Sequence, residues 1–151
     1  MRELTVPTAD DMRVVGEQIA TMIRPGDLVV LTGDLGAGKT TLVQGIAAGL
    51  GASGPVLSPT FVIARVYRDG RVPLVHVDAY RLGSRLEVDD LDLDADVADS
   101  VTVVEWGEGL VEGLTDARLV VSIHRSPDET DETRRVTLAP VGPDWTERMH
   151  A

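Results

Sequence analysis

The chain has 151 residues, of which 43% are hydrophobic, and this is enough for one domain with a single core and short for two. Its formal net charge of -11 disfavours direct, tight binding to nucleic acid, because the averaged surface field repels phosphate backbones. The absence of cysteine excludes disulfides, thiolate metal sites and cysteine nucleophiles, and no apolar run approaches the roughly 18 residues of a membrane span, so we expect a soluble cytoplasmic protein.

The first predicted elements are a helix, a buried strand and a second helix. The spacing Thr8-x-x-Asp11 resembles a capping box, apolar residues then recur at helical spacing, and Pro25-Gly26 ends this helix. Residues 28–31 form a continuous apolar run, which is typical of a strand buried on both faces. A glycine-rich stretch follows, and then an amphipathic helix with Gly51 at its expected C-cap.

Strands dominate the remainder of the prediction. Two of them, residues 74–78 and 101–105, are apolar and end in a carboxylate. Another ends near Tyr67, and residues 119–123 and 135–138 read as late strands that pair antiparallel. We expect the tail, about 142–151, to be loosely held.

The stretch from Gly33 to Thr41 reads GDLGAGKTT and matches the Walker A pattern, between the strand and the helix which that pattern requires. Small residues let backbone N–H groups surround a phosphate, and the following helix N-terminus adds partial positive charge. Lys39 is the only lysine among fourteen basic residues, and its compact ammonium can reach β- and γ-phosphate oxygens where a planar guanidinium is wider. The predicted nucleotide-binding residues of this loop are Gly33, Asp34, Leu35, Gly36, Ala37, Gly38, Lys39, Thr40 and Thr41.

These observations predict one P-loop NTPase-like α/β domain over residues 1–151, with a mixed, mainly parallel central sheet flanked by helices and late antiparallel strands. We expect ATP as the nucleotide, because the guanine-recognition motif Asn-Lys-x-Asp needs a second lysine. Thr40 is expected to place its hydroxyl on Mg²⁺.

Two acidic residues are candidates for the chemistry. Asp78 and Glu105 each end a strand, and open α/β sheets bind ligands at the carboxyl ends of their strands. One or both should therefore serve Mg²⁺ or orient water, although each can also be a carboxylate that caps the next helix. Thr60 lies in a rigid Ser-Pro-Thr loop where a switch threonine could sense the γ-phosphate, and Trp106 either covers the nucleotide or fills the core.

Other polar residues are weaker candidates for a catalytic or metal-binding role. The acidic stretch 87–99 does not have glycine at the sixth position and glutamate at the twelfth position of a calcium loop, so we interpret it as a solvated face. His76 lies within a strand, where a structural histidine is more common than a metal ligand.

Four motifs in order resemble the bacterial TsaE (YjeE) family: GDLGAGKTT, SPTF at 58–61, HVDAYRL at 76–82 and VEW at 104–106. The family's members are ATPases required for threonylcarbamoyladenosine formation in tRNA. The resemblance implies a compact P-loop domain that works with the proteins TsaB and TsaD, which transfer the threonylcarbamoyl group, so that this chain itself need not hold tRNA.

The resemblance also implies roles for individual residues. Lys39 would hold phosphate, Thr40 and Glu105 would serve Mg²⁺, and Asp78 would position or activate the attacking water. Thr60 would belong to a switch-like loop, and Trp106 would lie close to the nucleotide. Arg134 and Arg135 fall near the position where the family has a basic residue beside the nucleotide. The chain carries Met12 where we expect relatives often to have threonine near the adenine. The N-terminal part of the adenine pocket is therefore expected to differ from that of such relatives.

Two other functions fit the same phosphate loop. A small-molecule kinase begins with the same strand, loop and helix, but 151 residues leave little room for an acceptor pocket and a lid. A nucleotide-dependent binding module, with incidental hydrolysis, is the third interpretation.

Overall fold

The structure, a computed structural model, describes residues 2–33, 38–52, 64–67, 70–78, 100–105, 117–125 and 130–150. The described helices are α1 (Ala9–Met22), α2 (Lys39–Leu50) and α3 (Pro143–His150). The described strands are β1 (Arg2–Val6), β2 (Leu28–Gly33), β3 (Ala64–Tyr67), β4 (Leu74–Asp78), β5 (Val101–Glu105), β6 (Arg118–Arg125) and β7 (Arg134–Val141).

These strands form one mixed sheet in the order β1-β7-β6-β2-β5-β4-β3. The central strands are parallel: β2 pairs with β5 and β6, and β4 pairs with β5. The outer pairs β1–β7, β6–β7 and β3–β4 are antiparallel. This arrangement confirms the predicted mixed α/β fold with a parallel centre and late antiparallel strands.

The apolar runs of the sequence become the buried centre of the sheet. Residues such as Leu31 on β2 and Val103 on β5 are fully buried and pack in one cluster with Ile19 of α1 and Ile46 of α2. Side chains two residues apart on a strand share a face, so this cluster defines the face of the sheet on which the two helices lie. Among the described helices, none is both long and apolar enough to cross a membrane.

Helices α1 and α2 approach each other closely at glycines. A Cβ placed on Gly45 would lie 2.2 Å from the carbonyl oxygen of Arg13, and one on Gly16 would lie 2.4 Å from the carbonyl oxygen of Leu42. No real Cβ tolerates such distances, so both positions require glycine for packing. The close approach brings the first turn of α1 beside the first turn of α2.

The expectation of a loosely held tail from about residue 142 is wrong. Pro143 begins α3, a position that suits proline because the first helical N–H needs no partner. Trp145 is fully buried, the guanidinium of Arg148 lies 4.4 Å from the centre of its ring, and Arg148 also pairs with Asp27. The burial of Trp145 and the distant pair of Arg148 with Asp27 hold the helix in place.

Candidate nucleotide-binding site

The N-terminus of α2 is built for an anionic ligand. Gly38 is its N-cap and has a left-handed backbone with φ of 109°, a conformation that glycine adopts without the penalty of a Cβ. The carbonyl oxygen of Gly38 accepts the first helical bond, from the N–H of Leu42 at 3.0 Å. Gly38 has no side chain to cap the helix, and the positive end of the helix dipole at this position favours an anion.

Lys39 links the two ends of the phosphate loop. Its ammonium donates a hydrogen bond of 2.7 Å to the carbonyl oxygen of Gly33, the last residue of β2, and the residue is only 6% exposed. A buried ammonium needs such acceptors or an anion, because losing water without compensation costs several kcal/mol or more. The side chain of Lys39 therefore joins the start of α2 to the end of β2.

The two candidate carboxylates end neighbouring strands. Asp78 of β4 and Glu105 of β5 are directly paired in the sheet, and Glu105 is paired on its other side with Leu31 of β2, two residues before the phosphate loop. Glu105 is 4% exposed, and its Oε2 lies 3.5 Å from Nε2 of His76. The sheet thus brings both acids to the edge from which the phosphate loop departs.

A cavity of about 140 Å³ opens beside the start of α2. Its wall includes the N-cap residues Thr8 and Gly38, Met12 of α1, Thr41 of α2, Glu132 just before β7, and Arg134 at the start of β7. The methyl carbon of Met12 lies 3.4 Å from the point where a Cβ on Gly38 would stand. Met12 therefore closes one side of the cavity against the phosphate loop.

Arg134 reaches this cavity from β7, which lies on the β6 side of β2 in the sheet. Its guanidinium donates hydrogen bonds to the carbonyl oxygens of Glu132 and Asp131, at 2.9 Å and 3.2 Å. These bonds fold the residues before β7 around the side chain, which fixes a cation next to the cavity. Arg134 and Thr41 thus line the same cavity.

Several predicted residues lie outside the described residues. They are Asp34, Leu35, Gly36 and Ala37 of the loop, Thr60, Trp106, the acidic stretch 87–99 and the side chain of Asp78. Within the part of the chain that the structure describes, no three His, Asp or Glu side chains gather as a metal site.

Thr8 and Glu132 are cavity residues that the sequence analysis did not assign to a site. Thr8 was predicted only as a helix cap, and its Oγ1 does accept from the N–H of Asp11 at 3.2 Å. One signal in the sequence could have placed Thr8 near the phosphate loop. Gly45 and Gly49 are four residues apart on α2, a spacing that lets a neighbouring helix approach closely, and such an approach brings the start of α1 beside the start of α2. No comparable signal marks Glu132.

Comparisons with known proteins agree with this geometry. The family model described as "Threonylcarbamoyl adenosine biosynthesis protein TsaE" matches residues 6–136. The tRNA threonylcarbamoyladenosine biosynthesis protein TsaE of Streptomyces coelicolor is 57% identical over 139 residues, which cover 89% of this chain and 93% of the relative. The protein of the same name from Bacillus subtilis is 40% identical over 134 residues, covering 88% and 82%.

A solved structure matches the fold as well. The crystal structure of Bacillus subtilis YdiB superposes with a TM-score of 0.80 and 33% sequence identity, over 99% of this chain and 91% of that chain. The family match spans most of the chain, including the phosphate loop and the strands that carry Asp78 and Glu105. The chain therefore belongs to the TsaE family of threonylcarbamoyl adenosine biosynthesis proteins and has its P-loop fold.

Proposed function

We propose that this chain is the Mg-dependent ATPase subunit of threonylcarbamoyladenosine modification of tRNA, and that it acts with TsaB and TsaD in the cytoplasm. The observation that carries the proposal is the position of Lys39. Its buried ammonium lies at the N-terminus of α2 and spans the loop to Gly33, where the phosphates of a nucleotide would be bound. The names of the relatives support the role in tRNA modification.

The residues of the site suit a nucleoside triphosphate. The N–H groups at the start of α2 would receive the phosphates, and Lys39 would exchange its bond to Gly33 for β- and γ-phosphate oxygens. The cavity between Met12 and Arg134 lies next to that helix start and would take another part of the nucleotide. Met12 offers an apolar contact, and Arg134 a fixed cation.

The donors near the loop fit magnesium. Thr40 supplies a hydroxyl at the start of α2, and Glu105 supplies a buried carboxylate at the neighbouring strand end. Oxygen donors of this kind, together with phosphate oxygens, are what Mg²⁺ prefers. Bound there, the ion would neutralise charge that develops on the phosphates. Asp78, paired in the sheet with Glu105, would orient the attacking water.

Partners complete the proposed function. The net charge of -11 does not suit an extended phosphate backbone, so we assign the tRNA to TsaB and TsaD and assign nucleotide turnover to this chain. Turnover by the chain alone should be slow, because positioning and charge neutralisation dominate phosphoryl transfer and the partners would complete them.

The test is phosphate release from ATP by the purified chain, with and without purified TsaB and TsaD, and with Lys39→Ala as the blank. Stimulation by the pair that disappears in Lys39→Ala supports the proposal. ATP consumption that appears only with a small-molecule acceptor would indicate a kinase instead. ATP binding without any stimulation would contradict the partner-dependent ATPase and favour a passive binding module.

A further inference from the structure

His76 is a buried polar residue in an apolar strand. It is fully buried on β4, where Leu74, Val75 and Val77 are buried as well. Neither ring nitrogen of His76 has a hydrogen-bond partner among the residues that the structure describes. Leaving a buried donor unsatisfied costs about 1–3 kcal/mol, so a leucine at this position would stabilise the sheet more unless the imidazole serves a purpose.

The register of the sheet points His76 toward Glu105. His76 is paired with Val103 of β5, and Glu105 lies two residues further along the same strand. Residues two apart share a face, so His76 and Glu105 form a diagonal pair on the side of the sheet that α1 and α2 cover. Two of their polar atoms, Nε2 of His76 and Oε2 of Glu105, are 3.5 Å apart.

The same register places the two residues at different distances from the carboxyl ends of the strands. Glu105 stands at the carboxyl end of β5, beside Asp78, whereas His76 lies one step further into the sheet and is not exposed at all. His76 is therefore placed behind Glu105 as seen from the phosphate loop. From that position it can contact the carboxylate without contacting a nucleotide.

We propose that His76 is a positioning residue that orients the Glu105 carboxylate by donating its Nε2–H to Oε2. The inference rests on the proposed function, in which the other oxygen of Glu105 serves Mg²⁺. Carboxylates that bind metals are commonly held by such neighbours, and hydrogen bonds in catalytic sites are often long until the ligands are bound. A shift of about 0.5 Å brings this pair to an ordinary N–H···O length.

The first test measures metal binding rather than activity. Mn²⁺ would be titrated into the chain saturated with ADP and followed by the electron paramagnetic resonance signal of unbound Mn²⁺. His76→Leu removes the donor at similar volume and should raise the dissociation constant for Mn²⁺ about 10-fold, the lower end of the effect of such neighbours. His76→Gln retains an N–H donor near the Nε2 position and should restore most of the affinity.

Matched controls separate orientation from packing. Val75→Ala, on the same strand but the opposite face, should lower stability and leave Mn²⁺ affinity unchanged. Affinity for ADP without metal should be the same in every variant. In ATP hydrolysis, His76→Leu should reduce kcat more than it changes KM, with recovery in His76→Gln.

Two results would overturn the inference: wild-type affinity for Mn²⁺ in His76→Leu, or a loss in His76→Gln as large as in His76→Leu. If His76→Leu does not fold, His76→Asn replaces it, because its shorter amide stays polar but does not reach Nε2. Equal Mn²⁺ affinity in His76→Asn and His76→Gln would then overturn it. Failure of the wild-type chain to bind ADP or Mn²⁺ would instead overturn the proposed function, and this inference with it.

Discussion

Arg148 and Asp27 form a two-point ion pair between α3 and the turn before β2, with N–O distances of 2.6 Å and 3.0 Å. Their side chains are only 9% and 8% exposed. Burial by itself would lower the pKa of Arg148, but the hydrogen bonds and charges of Asp27 and Asp144 outweigh it and raise that pKa above its ordinary value. The pair holds the C-terminal helix on the sheet.

We predict that Arg148→Met lowers the free energy of unfolding by about 2–3 kcal/mol, somewhat less than a fully buried pair because the site reaches the surface. The loss arises because the buried Asp27 carboxylate then lacks its guanidinium partner and is left with the backbone N–H of Arg24. Urea denaturation followed by circular dichroism measures it. The matched control is Arg135→Met, whose exposed pair with Glu3 at 3.4 Å should contribute less than about 1 kcal/mol.

A double variant distinguishes pairing from packing. Asp27→Asn combined with Arg148→Met should cost clearly less than the two single losses added together, because each single change already removes the ion pair. Additive losses would mean that Arg148 stabilises the fold through its other contacts, with the Trp145 ring, Asp144 and the carbonyl oxygen of Met22, and not through Asp27.

These terminal contacts also explain what the sequence could not predict. In α3 only Trp145 and Met149 are buried apolar residues, so an eight-residue stretch gave little helical pattern, and the Asp27 contact joins positions 121 residues apart. Strand β1 is short and mostly exposed, and only its pairing with β7 makes it a strand. Strands such as β2 were predictable because their apolar runs are continuous.

The same distinction holds at the candidate site. The phosphate loop was predictable, because its glycines, its lysine and the flanking elements are contiguous in the sequence. The positions of Met12 beside Gly38 and of Arg134 at the cavity depend on how α1 and β7 pack, which local sequence pattern does not encode. The proximity of His76 to Glu105 likewise depends on strand register.

We predict that Gly45→Ala destabilises the chain by about 1–3 kcal/mol, the usual cost of overpacking, although alanine has the better helix propensity. The new Cβ would meet the backbone of Arg13 at 2.2 Å, so the helices must move apart. Thermal denaturation measures the effect. Ala48→Gly, at an exposed position of the same helix, gives the propensity contribution alone. Stabilisation by Gly45→Ala would contradict the close packing of α1 and α2.

We predict that Thr8→Ala costs about 1 kcal/mol of stability, because it removes the oxygen that caps α1. Thr8→Ser should retain most of that contribution. Thr21→Ala is the control: Thr21 bonds back to the carbonyl of Gln18, so alanine should be neutral or stabilising by about 0.5 kcal/mol. Equal losses for Thr8→Ala and Thr21→Ala would count against the cap.

We predict that Arg134→Ala weakens ATP binding about tenfold or more, the effect of losing one charge-assisted hydrogen bond. Arg135→Ala, which changes the adjacent arginine, should leave the affinity within about twofold, because that side chain is exposed and faces Glu3. Fluorescence titration with a labelled ATP analogue compares the two. The same loss in both variants would assign the effect to overall charge instead of the cavity.

The central claim is that Lys39 and the N-terminus of α2 bind the phosphates of ATP, and calorimetric titration of the wild-type chain and Lys39→Ala with MgATP tests it most directly. We expect the wild type to bind one nucleotide and Lys39→Ala, folded to the same extent by circular dichroism, to bind at least about 10-fold more weakly, because its buried cation is gone. Equal affinities in the two proteins would contradict the claim and place the nucleotide elsewhere.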